Sequence, residues 1–344
     1  MKQKIYNAYV DILKEELLPA MGCTEPIAVA YAGALARKAL GALPERVELC
    51  VSGNIIKNVK SVIVPHTGGR KGLKVAVAVG LCCGDPEAEL EVISGVTEQQ
   101  LRALDAYLEQ VQVQIIESTA NCPFDIQVTA HAGNDTAYAR IIGHHTNVVS
   151  LKKNDTVLLE VPFDDDVVQA PENRKLLSVE NIVKFADEVK IEDVQEVLQR
   201  QIDYNMAIAQ AGMDGSYGAT IGKILLKSYG NCIQNRAKAW AAAGSDARMC
   251  GCELPVVINS GSGNQGMTAS IPVIVYAREM GMTQDALYRA LVVSNLVTIH
   301  LKTGIGSLSA YCGATSAGCG AGAGICYLYG DSEAAGSTDF QEIC

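Results

Sequence analysis

Aromatic side chains are scarce: they make up 5% of the 344 residues, with four phenylalanines and a single tryptophan. Hydrophobic residues nonetheless reach 49%, so any core is aliphatic and built from Ala, Val, Leu and Ile. Positive charge is also short, with 28 Lys and Arg against 38 Asp and Glu and a net charge of −10. That balance excludes a general affinity for phosphate backbones, and nucleic acid is not an expected partner. No apolar run has the length of a membrane span. The most apolar windows, residues 73–83 and 305–329, are too short or too rich in Gly and small polar residues for about 20 residues of lipid-facing helix, so both read as buried core. A leader pattern of basic start, apolar run and small-residue cleavage site is missing too: residues 1–18 alternate charged and apolar positions at helical spacing. Twelve cysteines without such a leader point to a reducing cytoplasm, where thiols stay free, bind metal or react.

The length exceeds the roughly 250–300 residues at which single cores stop growing, and predicts two domains. Tyr6, Val10, Leu13 and Leu17 recur at helical spacing, and an Ala-rich run continues from Pro26 to Leu40. Pro26 suits a first helical turn and Thr24 an N-cap before it. After Pro44 the pattern changes to period two at Val47, Leu49 and Val51, with a second short strand expected at residues 59–64 and further ones at 111–116, 124–129, 137–142 and 157–161. Turn signals at 133–135 and 153–155 separate some of these, and residues 73–81 and 87–110 read as helical. From Ser178 onward apolar residues at helical spacing dominate. The expected fold class is α+β: a mixed α/β subdomain with antiparallel strands followed by a mainly α-helical domain. The expected division is residues 1–43 as N-terminal helices packing on the helical domain, 44–170 as the α+β subdomain and 171–344 as the helical domain. The acidic run 164–166 reads as a solvated linker between the last two.

Several constellations could carry chemistry. Cys23, beside an expected helix N-terminus, has its thiolate favoured by the dipole and is a candidate base or nucleophile; buried, it would be a small hydrophobe. Residues 259–266, Asn-Ser-Gly-Ser-Gly-Asn-Gln-Gly, precede an apolar run and gather backbone N–H groups and amides in a way that suits a carboxylate or phosphate at a helix start. The loop lacks the Lys-Ser/Thr ending of a phosphate loop, and a plain helix-connecting turn would use the same residue types. Residues 52–58, 65–69 and 143–147 lie at expected strand ends, where loops present ligand-binding groups. The adjacent His144 and His145, if on a strand, point to opposite faces and do not share a metal. Cys312, Cys319 and Cys326 lie seven residues apart, about 10 Å per step along one helix, too far to wrap a small cluster together. Cys250 and Cys252 lack the second ligand pair of a zinc knuckle.

Six segments taken in order resemble the L-cysteine desulfidase family, and more distantly the iron–sulfur L-serine dehydratase alpha chain: 21–28, 52–58, 143–147, 245–249 (Ser-Asp-Ala-Arg-Met), 259–266 and 308–312. The resemblance runs from about residue 16 to 330. It implies a β-elimination without pyridoxal phosphate, in which a [4Fe–4S] cluster held by three cysteines leaves one iron open as a Lewis acid. L-Cysteine would yield pyruvate, ammonia and sulfide, and L-serine is the second substrate to consider. By motif, Cys23 would be the base and Cys312 one cluster ligand. Thr24, Glu25, Asn54, Asn58, His145, Asn264 and Gln265 would bind the amino acid. The family's other two ligands sit in a Cys-x6-Cys segment that would fall beyond residue 344, so a shortened chain is expected, with an inactive amino-acid-binding homologue as the alternative. A homo-oligomer built on close-packed small-residue helices is the remaining structural reading.

Overall fold

The computed structural model describes residues 1–21, 24–120, 122–163, 172–305 and 312–330. The chain opens with α1 (Gln3–Glu16), the short strand β1 (Pro19–Met21) and α2 (Thr24–Leu40). It divides into two compact units, one of Met1–Ala20 with Ala170–Cys344 and the other of Met21–Gln169.

The second unit is built on a six-stranded sheet. Its strands are β2 (Arg46–Val51), β3 (Gln112–Glu117), β4 (Asp125–Ala132), β5 (Asp135–Ile142), β6 (Val148–Lys153) and β7 (Thr156–Glu160), in the order β3-β2-β4-β5-β6-β7. Only β2 and β3 are parallel; the connection between them carries α3 (Gly53–Val59), α4 (Leu73–Cys83) and α5 (Glu98–Gln110). Period-two patterning does its expected job: Val47, Leu49 and Val51 of β2, Ile126, Val128 and Ala130 of β4, and Ala137, Ala139 and Ile141 of β5 are all buried. Burying each larger aliphatic side chain stabilises by about 1.5–3 kcal/mol. α2 packs against α4 and against β4 and β5.

This placement of α2 differs from the expected one, which put residues 1–43 wholly on the helical domain. The reason is the character of the helix. Ile27, Ala28, Val29, Ala30, Ala32 and Ala34 are all inaccessible, and a helix that is apolar nearly all round must be covered on more than one side. The sheet and α4 supply that cover. α1, with one apolar stripe of Tyr9, Val10, Ile12 and Leu13, stays with the helical unit.

Three local expectations also changed. Residues 59–64 form no strand: α3 runs to Val59, and Ile63 makes only a lone antiparallel bridge to Lys71. The helix expected over 87–110 is divided into a 3-10 turn at Pro86–Glu91 and α5, because Thr97 starts a new helix with a capping box. Its hydroxyl accepts from the Gln100 amide at 3.4 Å, and the Gln100 side chain accepts from the Thr97 amide at 2.9 Å. β6 is a strand that the pattern did not announce.

The helical unit continues through a 3-10 turn (Glu172–Leu176), α6 (Val179–Glu188), α7 (Ile191–Asp214), α8 (Ile221–Tyr229), α9 (Ile233–Met249), β8 (Pro255–Val257), α10 (Gly263–Glu279), α11 (Gln284–Ile305) and α12 (Cys312–Leu328). β8 pairs with β1. Tyr9, Leu13, Phe185, Leu198, Val273, Leu291 and Leu296 belong to one buried cluster, with Tyr9 edge-on to Phe185 at 5.3 Å between ring centroids. α11 and α12 lie close because Gly324 faces the Ala290 carbonyl, 2.8 Å from where a Cβ would sit. Among the described residues no helix is long and apolar enough to cross a membrane.

Candidate functional site

In the sheet unit, the expected site residues gather at one end of the strands. β2 and β3 finish there, β4 starts there, and β5 turns there into β6. Ser52 is tied to that end twice: its amide donates to the Asp125 carbonyl at 3.0 Å and its hydroxyl to the Pro123 carbonyl at 2.7 Å. α3 follows immediately. Asn54 and Asn58, one helical turn apart, share a face of it; Asn54 is exposed and Asn58 half-buried. Asn58 donates to the Glu25 carboxylate at 3.3 Å, and the Thr24 hydroxyl donates to the same carboxylate at 3.2 Å. Thr24, Glu25 and Asn58 therefore form one polar group at the start of α2, two of them contiguous in sequence and the third brought in by the fold.

His145 lies in the turn between β5 and β6 rather than on a strand, as does His144. A positive φ of 78° at Gly143 breaks the strand before them. The His145 ring meets Phe124 edge-on at 4.6 Å. Asp125, fully buried beside it in sequence, is held by Ser118, Gln127 and Arg140 at 2.6, 2.7 and 2.9 Å. That carboxylate is already matched by an ion pair and hydrogen bonds, and it anchors the sheet end. Cys23 falls outside the described residues.

In the helical unit the expected loop before α10 is a tight turn. Ser260 and Gly261 have φ of 48° and 78°, and Asn259 and Ser262 form a small antiparallel bridge. The Ser262 hydroxyl caps α10 by accepting from the Gln265 amide at 3.4 Å. Gly266 lets the helix start press on β8: a Cβ there would collide with the Val257 carbonyl. Asn205 of α7 completes this packing. Its side chain accepts from the Val257 amide at 2.8 Å and donates to the Val257 carbonyl at 3.2 Å and to Ser270 at 3.0 Å.

Two side chains at the start of α10 stand apart. Arg248, in the last turn of α9, is 4% exposed. Its Nη1 donates to Asn264 Oδ1 at 3.0 Å and approaches the Met249 sulfur at 3.6 Å, while Nε is buried without a partner. Among the described residues no carboxylate pairs with it. Gln265, 2% exposed, ends a buried chain of amides. Gln201 and Asn295 bond reciprocally at 3.0 and 2.8 Å, Asn259 donates to Asn295 at 2.9 Å, and Gln265 donates to Asn259 at 3.4 Å. The Gln265 Oε1 is buried without a partner and lies against Gly313.

Arg248 was contained in the segment 245–249 but had no role by sequence, since a lone Arg near a helix C-terminus reads as a favourable end charge. Gln201, Asn205 and Asn295 leave a fainter signal: they are amides on otherwise apolar helical faces. The groove between α9, α10 and α12, about 550 Å³, is lined chiefly by small and apolar residues such as Ala237, Ala241, Pro272 and Ala321, and the polar chemistry does not converge on it.

Cys312 supplies the first backbone residue of α12; its side chain is outside the description. Cys319 and Cys326 follow on the same helix, half-buried, separated by about 10 Å at 1.5 Å per residue. Among the described residues no three Cys, His, Asp or Glu side chains are grouped to hold a metal ion. The described residues alone thus do not fit an iron–sulfur cluster.

The chain thus joins a mixed-sheet unit to a helical unit that carries an amide-lined helix start and a buried guanidinium. The profile of the serine dehydratase alpha chain matches residues 87–338. Similar chains include UPF0597 proteins of Desulfitobacterium hafniense, 54% identical over 96% of this chain and 76% of the relative, and of Treponema denticola, 44% identical over 98% and 78%. A UPF0597 protein of Lachnoclostridium phytofermentans is 46% identical over 96% of this chain and 79% of its own length. This chain belongs to the serine dehydratase alpha chain family.

Proposed function

We propose that the protein is a carbon–sulfur lyase that eliminates sulfide from L-cysteine to give pyruvate and ammonia. L-Cysteine as the substrate rests on the resemblance of the six sequence segments, whereas membership of the serine dehydratase alpha chain family, a lyase family by name, is the observation that carries the lyase class. The same observation favours L-serine as a second substrate. Both amino acids carry a leaving group on Cβ and an acidic hydrogen on Cα. The reaction needs the carboxylate and ammonium held still, a base at Cα and stabilisation of the departing group.

Cys23 is the proposed base, an assignment resting on its motif. Asn264 and Gln265 are proposed to bind the amino acid, on the strength of their place at a helix start. Thr24, Glu25, Asn54, Asn58 and His145 keep the binding roles that the resemblance implies. The hydrogen bonds from Thr24 and Asn58 to Glu25 hold its carboxylate in one orientation. A [4Fe–4S] cluster, with Cys312 as one ligand, would supply a Lewis acid when bound. The described residues offer no companion thiolates for it, so the chemistry derived for this chain is recognition and proton transfer.

The test is reconstitution with iron and sulfide under anaerobic conditions, followed by assays for pyruvate from L-cysteine and L-serine and for released sulfide. Pyruvate with sulfide from L-cysteine is expected, and Cys23→Ala is expected to abolish it with binding retained. Pyruvate from L-serine alone would replace the first substrate by the second. No pyruvate from either would overturn the lyase reading.

A further inference from the structure

A buried guanidinium without a counter-charge is costly: an unpaired ion inside a protein loses several kcal/mol of hydration unless something charged replaces the water. Arg248 is in that position, with one neutral acceptor, Asn264 Oδ1, and a sulfur beside it. Although Arg248 lies in the last turn of α9, the favourable end of its own helix, its guanidinium also meets the unfavourable end of the next. The start of α10 carries the positive pole of its dipole and has no acidic residue in its first turn. The first amides of the helix have no acceptor within it. Gly263 gives the guanidinium its place, since a Cβ there would collide with Nε. Two positive features are thus held together, and an anion satisfies both.

The amide chain gives an independent constraint. The Leu291 carbonyl can only accept, and it takes a hydrogen bond from Asn295 Nδ2 at 2.9 Å. Asn295 must therefore present Oδ1 to its other neighbours. Asn259 donates to that oxygen and, at 3.3 Å, to the Asn295 backbone carbonyl, so its own Oδ1 faces Gln265. Gln265 in turn must offer Nε2 to Asn259, which leaves its Oε1 as a buried acceptor without a partner, against Gly313. A carbonyl at one end of the chain thereby dictates an oxygen at the other, without reference to any choice of amide flip.

We propose that Arg248, with the first turn of α10, binds the α-carboxylate of a free L-amino acid, and that Gln265 Oε1 accepts from its α-ammonium group. Asn264, which holds Arg248, and Gln265 both belong to the first turn of α10, so the two unsatisfied groups share one helix start. A phosphate ester would satisfy the guanidinium but offers no donor to Gln265. The choice of an amino acid as substrate class rests on the lyase reading; the carboxylate and ammonium assignments rest on the geometry.

Calorimetric titration separates the two ends with three probes: L-serine, L-serinamide, which lacks the carboxylate, and 3-hydroxypropanoate, which lacks the ammonium. The wild-type protein is expected to bind L-serine most tightly, with either truncated probe weaker by about 10- to 100-fold, the range for a hydrogen bond to a charged group. Arg248→Met is expected to abolish the preference for L-serine over L-serinamide, and Gln265→Met the preference over 3-hydroxypropanoate. Thermal unfolding provides the control, because relieving a buried unpaired charge leaves Tm unchanged or raised, whereas removing a structural residue lowers it. Equal binding of L-serine and L-serinamide to wild-type protein overturns the carboxylate assignment; absence of L-serine binding at millimolar concentration overturns both. Binding with this pattern but no pyruvate sinks the lyase reading alone, and pyruvate formation with unchanged binding in Arg248→Met sinks the inference alone.

Discussion

Cys82 and Cys83, the last two residues of α4, share a turn but not an acidity. The interaction between the two neighbouring thiols, with Arg37 nearby, outweighs burial and brings the Cys82 thiol down to about 7, while the same interaction and burial push Cys83 up. The sign is that of a stabilised thiolate, the form that reacts with alkylating agents. Iodoacetamide labelling followed by peptide mass mapping should therefore show the Cys82 rate levelling off once the pH passes about 7. A Cys82 rate that still climbs well above pH 7 would refute the assignment. Arg248 illustrates the same dependence on surroundings: the residue type is visible in the chain, but its missing counter-charge is a property of what the fold packs around it.

At the scale of elements, caps and side-chain bridges differ in what they hold. Thr97 caps one exposed helix end, and Thr97→Ala is expected to cost about 1 kcal/mol. Asn205 instead serves β8 as a strand would, pairing both the amide and the carbonyl of Val257. Asn205→Leu leaves two buried backbone groups unmatched, at about 1–3 kcal/mol each. Urea unfolding followed by far-UV circular dichroism should rank the two variants accordingly, with the lower midpoint for Asn205→Leu in the transition of the helical unit. An equal or reversed order would show that β8 does not depend on α7. The cap at Thr97 has a local sequence signature, Thr followed three residues later by Gln, whereas the Asn205 bridge leaves only an amide on an otherwise apolar helical face.

For the whole molecule the dominant long-range property is charge. A net −10 predicts retention on an anion exchanger at neutral pH and no shift of duplex DNA in a gel at moderate salt. DNA retention that survives such salt would require a local basic surface stronger than the overall balance. The same scale shows a discontinuous unit: residues near the N-terminus, Met1–Ala20, belong with Ala170–Cys344. Tyr9 and Phe185 meet in one cluster across that separation. The compact unit that they share is therefore assembled from two stretches that are separate in sequence.

Periodicity alone determined the class of this protein: alternation at Val47, Leu49 and Val51 is the geometry of a strand with one buried face, and the spacing of Tyr6, Val10, Leu13 and Leu17 is that of a helix with one apolar stripe. The loop at 259–266 was legible as a helix start for the same local reason, since Gly, Ser and Asn satisfy turn and cap geometry within a few residues. The partner of each element was not legible, because burial on a helix says that a face is covered and not by what; hence α2 went to the sheet. The polarity of Gln265 was still further from view. It is transmitted from Leu291 through Asn295 and Asn259, residues scattered over two helices and a loop, and only tertiary packing brings a carbonyl and three amides into the single line that decides which atom of Gln265 is left without a partner.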